Sequence, residues 1–390
     1  MYIAHLSTAI TLNQTVLNCM VMQKKNGHRV AALCPDDEWT EAIKAHGIEV
    51  FEIPFIRHSL RHSFTSSVWK TIQVCRREKF DVVHTHTLLP GIAGRVAARI
   101  AGVPAVVHTF HSWPLHKPRS KVFTVAYQAL ELLAAKFGHI HLFQNADDLA
   151  SWSKIPGIPL HKALLIGNGI DTGKITSHVE AGAREKVRAE FGISDDTTLM
   201  VMVARLELYK GHSMLLRAMR HILDTTRYKL AALIVGIGKD REVIEEEVAR
   251  LGLQGQVIFT GYRLDVPNLL SASDISVLTS QYEGIPRALM ESMVLGIPVT
   301  GTDVPGSRTL INSGENGLLV PHEDVPALAD AIRCLIENPA LTKQLAENGR
   351  QTILTEYDEN NVTARIEKVY SHILARHIPQ LSELIPETDP

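Results

Sequence analysis

The sequence predicts an α/β protein built from two doubly wound, parallel-sheet domains. Short β-branched apolar runs alternate with amphipathic stretches, the pattern of a parallel sheet covered by helices. The same alternation starts afresh after Asn168. A length of 390 residues suits two domains that each bury a core of their own. No sequence repeat accompanies the second set, so the duplication is one of architecture.

In the first half, residues 2–6, 29–33, 48–53, 81–84 and 105–109 read as strands. Residues 12–25, ended by Gly27, and 66–79 read as helices between them. Right-handed crossovers then give a doubly wound domain. The second set of strands is 199–204, 229–235, 257–260, 275–279 and 298–301. The polar stretch 151–168, with its Pro and Gly residues, reads as the linker. The boundaries are therefore 1–168 for the first domain and 169–356 for the second, followed by a helix within 357–378 that is longer than the second domain needs. Residues 379–390, with three prolines and several acids, read as a disordered tail.

A net charge of −2 gives no electrostatic reason to expect a nucleic-acid partner. Cys19, Cys34, Cys75 and Cys334 form no Cys-x-x-Cys pair, which argues against structural zinc and against a disulfide framework. The N-terminus lacks a charged start followed by a long apolar run, and no uncharged stretch reaches the length of a membrane span, so a cytoplasmic location is expected.

The segment EGIPRALMESMVLGIPV, Glu283 to Val299, carries the chemistry. Gly284-Ile285-Pro286 suits a tight turn into a helix, Gly296 suits its left-handed stop, and Val299 opens a buried strand. Glu291 then lies roughly 7 to 8 Å along the axis from the helix start. The free amides of the first turn favour a phosphate, whereas the two flanking carboxylates accept hydrogen bonds from hydroxyl groups at either end of a phosphorylated ligand. Sugar hydroxyls fit that description.

Glu283 and Glu291, with Gly296-Ile297-Pro298-Val299 after them, resemble the Glu-x7-Glu signature of the retaining glycosyltransferases of family 4, the group 1 glycosyltransferases. Ala204-Arg205-Leu206 with Lys210-Gly211 resembles that family's diphosphate clamp, and Asn168-Gly169-Ile170-Asp171 resembles its interdomain motif. The resemblance implies a GT-B fold, in which two Rossmann-like domains face each other across a cleft and the C-terminal helix crosses back to the N-terminal domain. It also implies roles. Arg205 and Lys210 would offset charge on a departing diphosphate, a catalytic contribution because that charge grows as the bond breaks. Glu283 would hold the transferred sugar and Glu291 the ribose, with the backbone of Gly284, Ile285, Pro286 and Arg287 reaching phosphate and sugar. His111, in HTFHSWP, matches the family's histidine of the N-terminal domain and would hydrogen-bond a sugar hydroxyl. His108 is the competing candidate. The chain departs from the pattern at Thr309, where the family has a glutamate, and at Ser112, where it has glycine.

The expected activity is a retaining, metal-independent transfer of a hexose from a nucleotide diphosphate sugar, UDP foremost, to a hydroxyl of a glycan, lipid-linked or small-molecule acceptor. No cofactor is expected beyond the donor substrate. No Asp-x-Asp occurs and the nineteen histidines are dispersed along the chain, so no metal site is expected; His84 and His86 are the one ligand pair weighed. The acceptor is expected near 8–12, 58–61 and 113–127. The last segment mixes His116, Lys117, Arg119 and Lys121 with Trp113, Phe123 and Tyr127, a composition that suits peripheral contact with a membrane's inner face. The competing expectations are an epimerase of the same architecture and a non-catalytic sugar-nucleotide-binding subunit.

Overall fold

The computed structural model describes residues 1–55, 62–113, 115 and 120–376, with backbone alone for 62–64. The chain divides into two units, Met1–Gly169 together with the segment from Glu359, and Ile170–Asp358.

The first unit is built on seven parallel strands: β1 (Tyr2–Leu6), β2 (Arg29–Cys34), β3 (Glu49–Glu52), β4 (Val82–His86), β5 (Ala105–Phe110), β6 (Ile140–Phe143) and β7 (Ala163–Leu165). Their order is β3-β2-β1-β4-β5-β6-β7. Every residue of β1, β4, β5 and β6 is buried, as helices on both faces of a parallel sheet require. The helix expected to begin at Leu12 starts earlier, at Ala9, and passes through a wide π turn at Leu12–Val16 before continuing as Leu17–Lys25. Ser120 caps the Lys121–Phe137 helix by accepting from Phe123 N, and Asn145 caps Ala146–Ser153 by accepting from Asp148 N.

The stretch 151–168 is not a linker. It completes a helix, turns at Pro156, Gly157 and Pro159, and forms β7 at the sheet edge. Trp152 is wholly buried there against Phe143 and His141. The Glu359–Leu374 helix packs on the sheet of this unit. Val362, Ile366, Val369, Tyr370 and Ile373, spaced as one helical stripe, join Ile3, Val82, Val107 and Ile140 in a single cluster.

The second unit holds six parallel strands: β8 (Thr198–Val203), β9 (Leu230–Val235), β10 (Val257–Gly261), β11 (Ile275–Leu278), β12 (Val299–Thr302) and β13 (Leu318–Val320), in the order β10-β9-β8-β11-β12-β13. This is the winding of the first six strands of the other unit. In each sheet the order reverses between the first and fourth strands, β1/β4 and β8/β11. Ligands of doubly wound sheets sit at the carboxyl ends of strands at such a reversal.

The four cysteines are free. Burial pushes the thiols of Cys34 and Cys75 up to about 12, which leaves them unreactive. Among the described residues no helix is long and apolar enough to cross a membrane.

One buried ion pair anchors the first unit. Arg95 and Glu131, both essentially inaccessible, meet through two bonds of 2.6 and 2.7 Å, and Trp152 Nε1 adds a third contact to Glu131 at 3.4 Å. Removing one partner leaves the other charge buried and alone. Glu131→Ala is therefore expected to cost about 3 to 5 kcal/mol in urea unfolding of this unit, and a loss under about 1 kcal/mol would contradict the pairing.

Candidate active site

The reversal point of the second sheet is flanked by the loops that follow β8 and β11, and these hold most of the residues singled out from the sequence. The β8 loop carries Arg205 and Lys210. Two hydrogen bonds tie it to the end of β11: Gln281 N donates to Tyr209 O at 2.8 Å and Thr279 Oγ1 to Gly211 O at 2.8 Å. Gly211 makes this possible. Its φ is +77°, and a Cβ there would lie 1.9 Å from Thr279 O.

With the loops so held, Lys210 Nζ donates to Glu283 Oε1 at 2.7 Å, and both side chains are largely shielded from solvent, at 15 and 12% exposure. Sequence reasoning gave these two residues separate roles and did not foresee their contact. Nor did it foresee the aromatic pair beside them. Tyr209 and Tyr282 stack with centroids 4.6 Å apart and planes 4° from parallel. Lys210 Nζ lies 5.2 Å from the Tyr209 ring centroid and the Arg205 guanidinium 5.8 Å. Arg205 itself is exposed. It pairs with Glu207 at 2.6 Å and donates to the Tyr209 hydroxyl.

The helix after Glu283 spans Arg287–Val294, one residue later than expected, with Pro286 at its N-cap and not its first helical position, and Gly296 in the left-handed conformation just beyond its end. No side chain caps its first turn. Ile285 and Pro286 bury their side chains, so these two can offer a ligand only backbone. Gly306 lies against the turn so closely that a Cβ would stand 1.6 Å from Gly284 O. Glu291 is half-buried on the first turns of the helix, and among the described residues none donates a hydrogen bond to its carboxylate. Burial raises its pKa, offset in part by the charge of Arg287 one turn earlier. A desolvated carboxylate in this position lacks the partner that such groups require. Thr309 turns its hydroxyl back onto Pro305 O at 3.0 Å within its own short helix.

The interdomain motif lies where the two units divide. Gln144 Nε2 donates to Asn168 Oδ1 at 2.9 Å, Gly169 backs onto Glu359, Ile170 N donates to Tyr357 O at 2.9 Å, and Asp171 caps the Thr172–Ser177 helix.

His111 belongs to the first unit and is partly buried. Its Nε2 lies 3.0 Å from His86 Nδ1 and its Nδ1 2.9 Å from Gln144 Nε2. Burial lowers its pKa to about 4, so at neutral pH the imidazole is uncharged. His108 is in the core, bonded to Thr85. The histidines that looked dispersed in sequence converge: β1 and β4 pair with His5 opposite His84, and His86 follows on the same face. One nitrogen from each of His5, His84 and His86 falls within 4.8 Å of the others, close enough for an ion. Yet both nitrogens of His84 are engaged, by Tyr370 OH at 2.6 Å and Thr109 Oγ1 at 2.7 Å, and its ring packs against His86 with centroids 4.3 Å apart and planes tilted by 32°. Hydrogen bonding accounts for this cluster.

On the acceptor side, Thr8 precedes the first helix and bonds Thr11 at 2.9 Å. Residues 58–61, Pro114 and 116–119, with His116, Lys117 and Arg119, lie outside the described residues, as does the tail from 379. Trp113 and Tyr127, expected to face a surface, are core residues at 4% exposure, packed on each other at 5.4 Å. Phe123 remains exposed.

A doubly wound sheet binds ligands at such a reversal point, and there this chain carries a cation–carboxylate pair and a second carboxylate, Glu291. Comparison with known proteins gives the class. Residues 183–352 match the family Glycosyl transferases group 1, and residues 12–174 match Glycosyltransferase Family 4. The chain belongs to the group 1, family 4 glycosyltransferases. It is 29% identical over 300 residues, 76% of each protein, to the UDP-Gal:alpha-D-GlcNAc-diphosphoundecaprenol alpha-1,3-galactosyltransferase of Escherichia coli. It is 28% identical to the putative glycosyltransferase EpsD of Bacillus subtilis (strain 168), over 83% of this chain and 84% of that protein. Among solved structures, Anabaena Alr3699/HepE in complex with UDP superimposes with a TM-score of 0.81 at 22% identity, over 95% of this chain and all of that one. A glycosyltransferase from Rickettsia africae ESF-5 gives 0.84 at 19% identity, over 96% of this chain and 98% of that one. The fold is GT-B. These transferase matches disfavour the epimerase expectation.

The buried histidines make stability sensitive to acid. His5 and His111 have folded-state pKa values lowered to about 4 by burial, from an ordinary 6.5, and burial likewise holds His84, His86, His108 and His141 well below 6.5. Between pH 6.5 and 4 the unfolded chain binds protons that the folded chain refuses, so stability is full above 6.5 and falls as pH drops through this window. His5 alone contributes about 3 kcal/mol to that fall. Urea midpoints at pH 7.5 and 5.0 check this; equal midpoints would contradict it.

Proposed function

We propose that this glycosyltransferase moves a hexose from a nucleotide diphosphate sugar, UDP-linked, to a hydroxyl of a glycan or lipid-linked acceptor, with retention of configuration and without a metal ion. The observation that carries the reading is the pairing of Lys210 with Glu283 beside the unpartnered carboxylate of Glu291, at the reversal point of the second sheet. A diphosphate arriving at the helix start competes with Glu283 for Lys210, and Arg205 adds a second positive charge. Glu283, relieved of its partner, accepts hydrogen bonds from sugar hydroxyls. Glu291 accepts from the ribose, which ends its isolation.

In the transfer, the acceptor oxygen bonds to the anomeric carbon as the bond from that carbon to the phosphate oxygen breaks, and the acceptor's proton passes to the leaving phosphate. Lys210 and Arg205 stabilise the charge that grows on the diphosphate. Support for UDP comes from Alr3699/HepE, solved with UDP and with UDP-glucose. Support for retention and for a lipid-linked acceptor comes from relatives named as α-1,3-transferases acting on diphosphoundecaprenol substrates, in Escherichia coli and, at 25% identity over 90% of this chain, in Campylobacter jejuni. With an α-configured donor, an α product is retention.

Such an acceptor would be met at the inner face of a membrane. The Lys121–Phe137 helix exposes Val122, Val125, Leu130 and Leu133, with Trp69 exposed on the His62–Glu78 helix. Lys121 and Lys136 are exposed near the ends of the Lys121–Phe137 helix, whose one acid, Glu131, is buried. That combination suits an anionic bilayer.

Thermal unfolding with UDP, GDP and ADP tests the donor assignment, since a ligand raises the transition by mass action. UDP is expected to raise it most. Glu291→Gln removes a buried, unpartnered charge, so the ligand-free variant is expected to be at least as stable as the parent while losing the UDP-induced rise. A rise that survives undiminished in Glu291→Gln and in Lys210→Ala would overturn the assignment.

A further inference from the structure

The histidines of the first unit form a continuous hydrogen-bonded chain, from the half-buried His111 to the fully buried Gln23. Gln144 Nε2 lies 2.9 Å from His111 Nδ1, His111 Nε2 3.0 Å from His86 Nδ1, His86 Nε2 3.0 Å from His5 Nδ1, and His5 Nε2 2.8 Å from Gln23 Oε1. His5, His86 and Gln23 are at 0 to 2% exposure. A neutral imidazole carries one N–H, so each ring can donate at one nitrogen only and must accept at the other. The chain therefore has a direction, and its two ends agree on it. At the outer end, Gln144 gives one N–H to His111 Nδ1 and the other to Asn168 Oδ1. At the inner end, Gln23 presents a carbonyl, which only an N–H of His5 can satisfy. Working inward or outward gives the same assignment: all three rings protonated at Nε2, with a lone pair on Nδ1. His84 stands outside the chain, both its nitrogens being held by Tyr370 and Thr109.

We propose that Gln23 and His5 act through His86 as positioning residues that hold His111 in the Nε2-protonated tautomer, so that a substrate hydroxyl replacing Gln144 at Nδ1 must donate its hydrogen to the ring. The proposal rests on His111 as the group that meets a hydroxyl, and it reverses the sense of that contact: the ring accepts and does not donate. Reversal would require the Gln23 amide to turn and the three rings to change tautomer together. His111, half-buried where Gln23 is wholly inaccessible, is the end a ligand can reach. The buried end keeps the polarity when it does.

Nitrogen-15 spectra of the histidine side chains in the full, ligand-free chain test this, because protonated and lone-pair ring nitrogens resonate far apart. In the parent, His5, His86 and His111 are expected to show protonated Nε2 and bare Nδ1. Gln144→Met removes the outer holder and is expected to leave that pattern intact. Adding Gln23→Met is expected to bring in Nδ1-protonated His111, and Gln23→Glu in place of Gln23→Met is expected to restore the parent pattern, since a carboxylate also accepts from His5. Nδ1-protonated His111 in the parent, a scrambled pattern in Gln144→Met alone, or an unchanged pattern in the doubly Met variant would each overturn the proposal. Transfer assays read the consequence separately: Gln23→Met is expected to lower kcat roughly tenfold while UDP still raises the unfolding temperature as in the parent. A folded Gln23→Met with parental kcat but altered tautomer would count against His111 as the hydroxyl contact and leave the tautomer assignment standing.

Discussion

The ion pair between Lys210 and Glu283 is the interaction on which the chemistry proposed for the second unit depends. It joins the loop after β8 to the loop after β11, residues 73 positions apart in the chain, at 2.7 Å. Few other arrangements would keep a lysine and a glutamate shielded from water without a ligand, because either charge alone would be costly to bury. The pair also stores the means of its own replacement. In the proposed function a diphosphate offers the lysine a more highly charged partner, and the carboxylate that is released becomes an acceptor for neutral hydroxyls. Gly211 and Gly306 serve this pair and its neighbouring helix start by letting backbone approach backbone where a Cβ could not fit.

Much of this was legible in the sequence. The alternation of apolar runs and amphipathic stretches marks ten of the thirteen strands to within about two residues. The three that escape notice, β6, β7 and β13, are three or four residues long and carry too little pattern to register: IHLF, ALL and LLV. The stop of the Arg287–Val294 helix at Gly296 follows from glycine's freedom at positive φ. By contrast, the Pro and Gly residues between 151 and 168 suggest a linker, but they only turn the chain into an edge strand. Local composition cannot tell a turn within a domain from a turn between domains.

The parts of the site that were not legible are those made by strand order. His5 and His84 lie opposite one another because β1 pairs with β4, and nothing in the sequence around His5 announces that neighbour. The same holds for Tyr209 and Tyr282, stacked because the β8 and β11 loops meet. Once a doubly wound order is assumed, however, the first and fourth strands of each set must be adjacent, so polar residues at their ends could have been paired in advance. Trp113 and Tyr127 mislead for another reason. Basic neighbours suggest a surface, whereas the two rings close the core under the Lys121–Phe137 helix, and the exposed apolar side chains of that helix are aliphatic apart from Phe123.

The two units thus place different kinds of polar chemistry at equivalent points of the same winding: a charged pair at β8/β11, and an uncharged imidazole chain at β1/β4. The charged pair carries the account of donor binding, and calorimetric affinities of Glu283→Gln for UDP and for a UDP-hexose test it most directly. Because the substitution frees Lys210, UDP is expected to bind at least as tightly as to the parent, while the additional affinity brought by the hexose disappears. Weaker binding of UDP, with the hexose contribution kept, would contradict the claim that Glu283 gives up Lys210 to the diphosphate and takes the sugar in exchange.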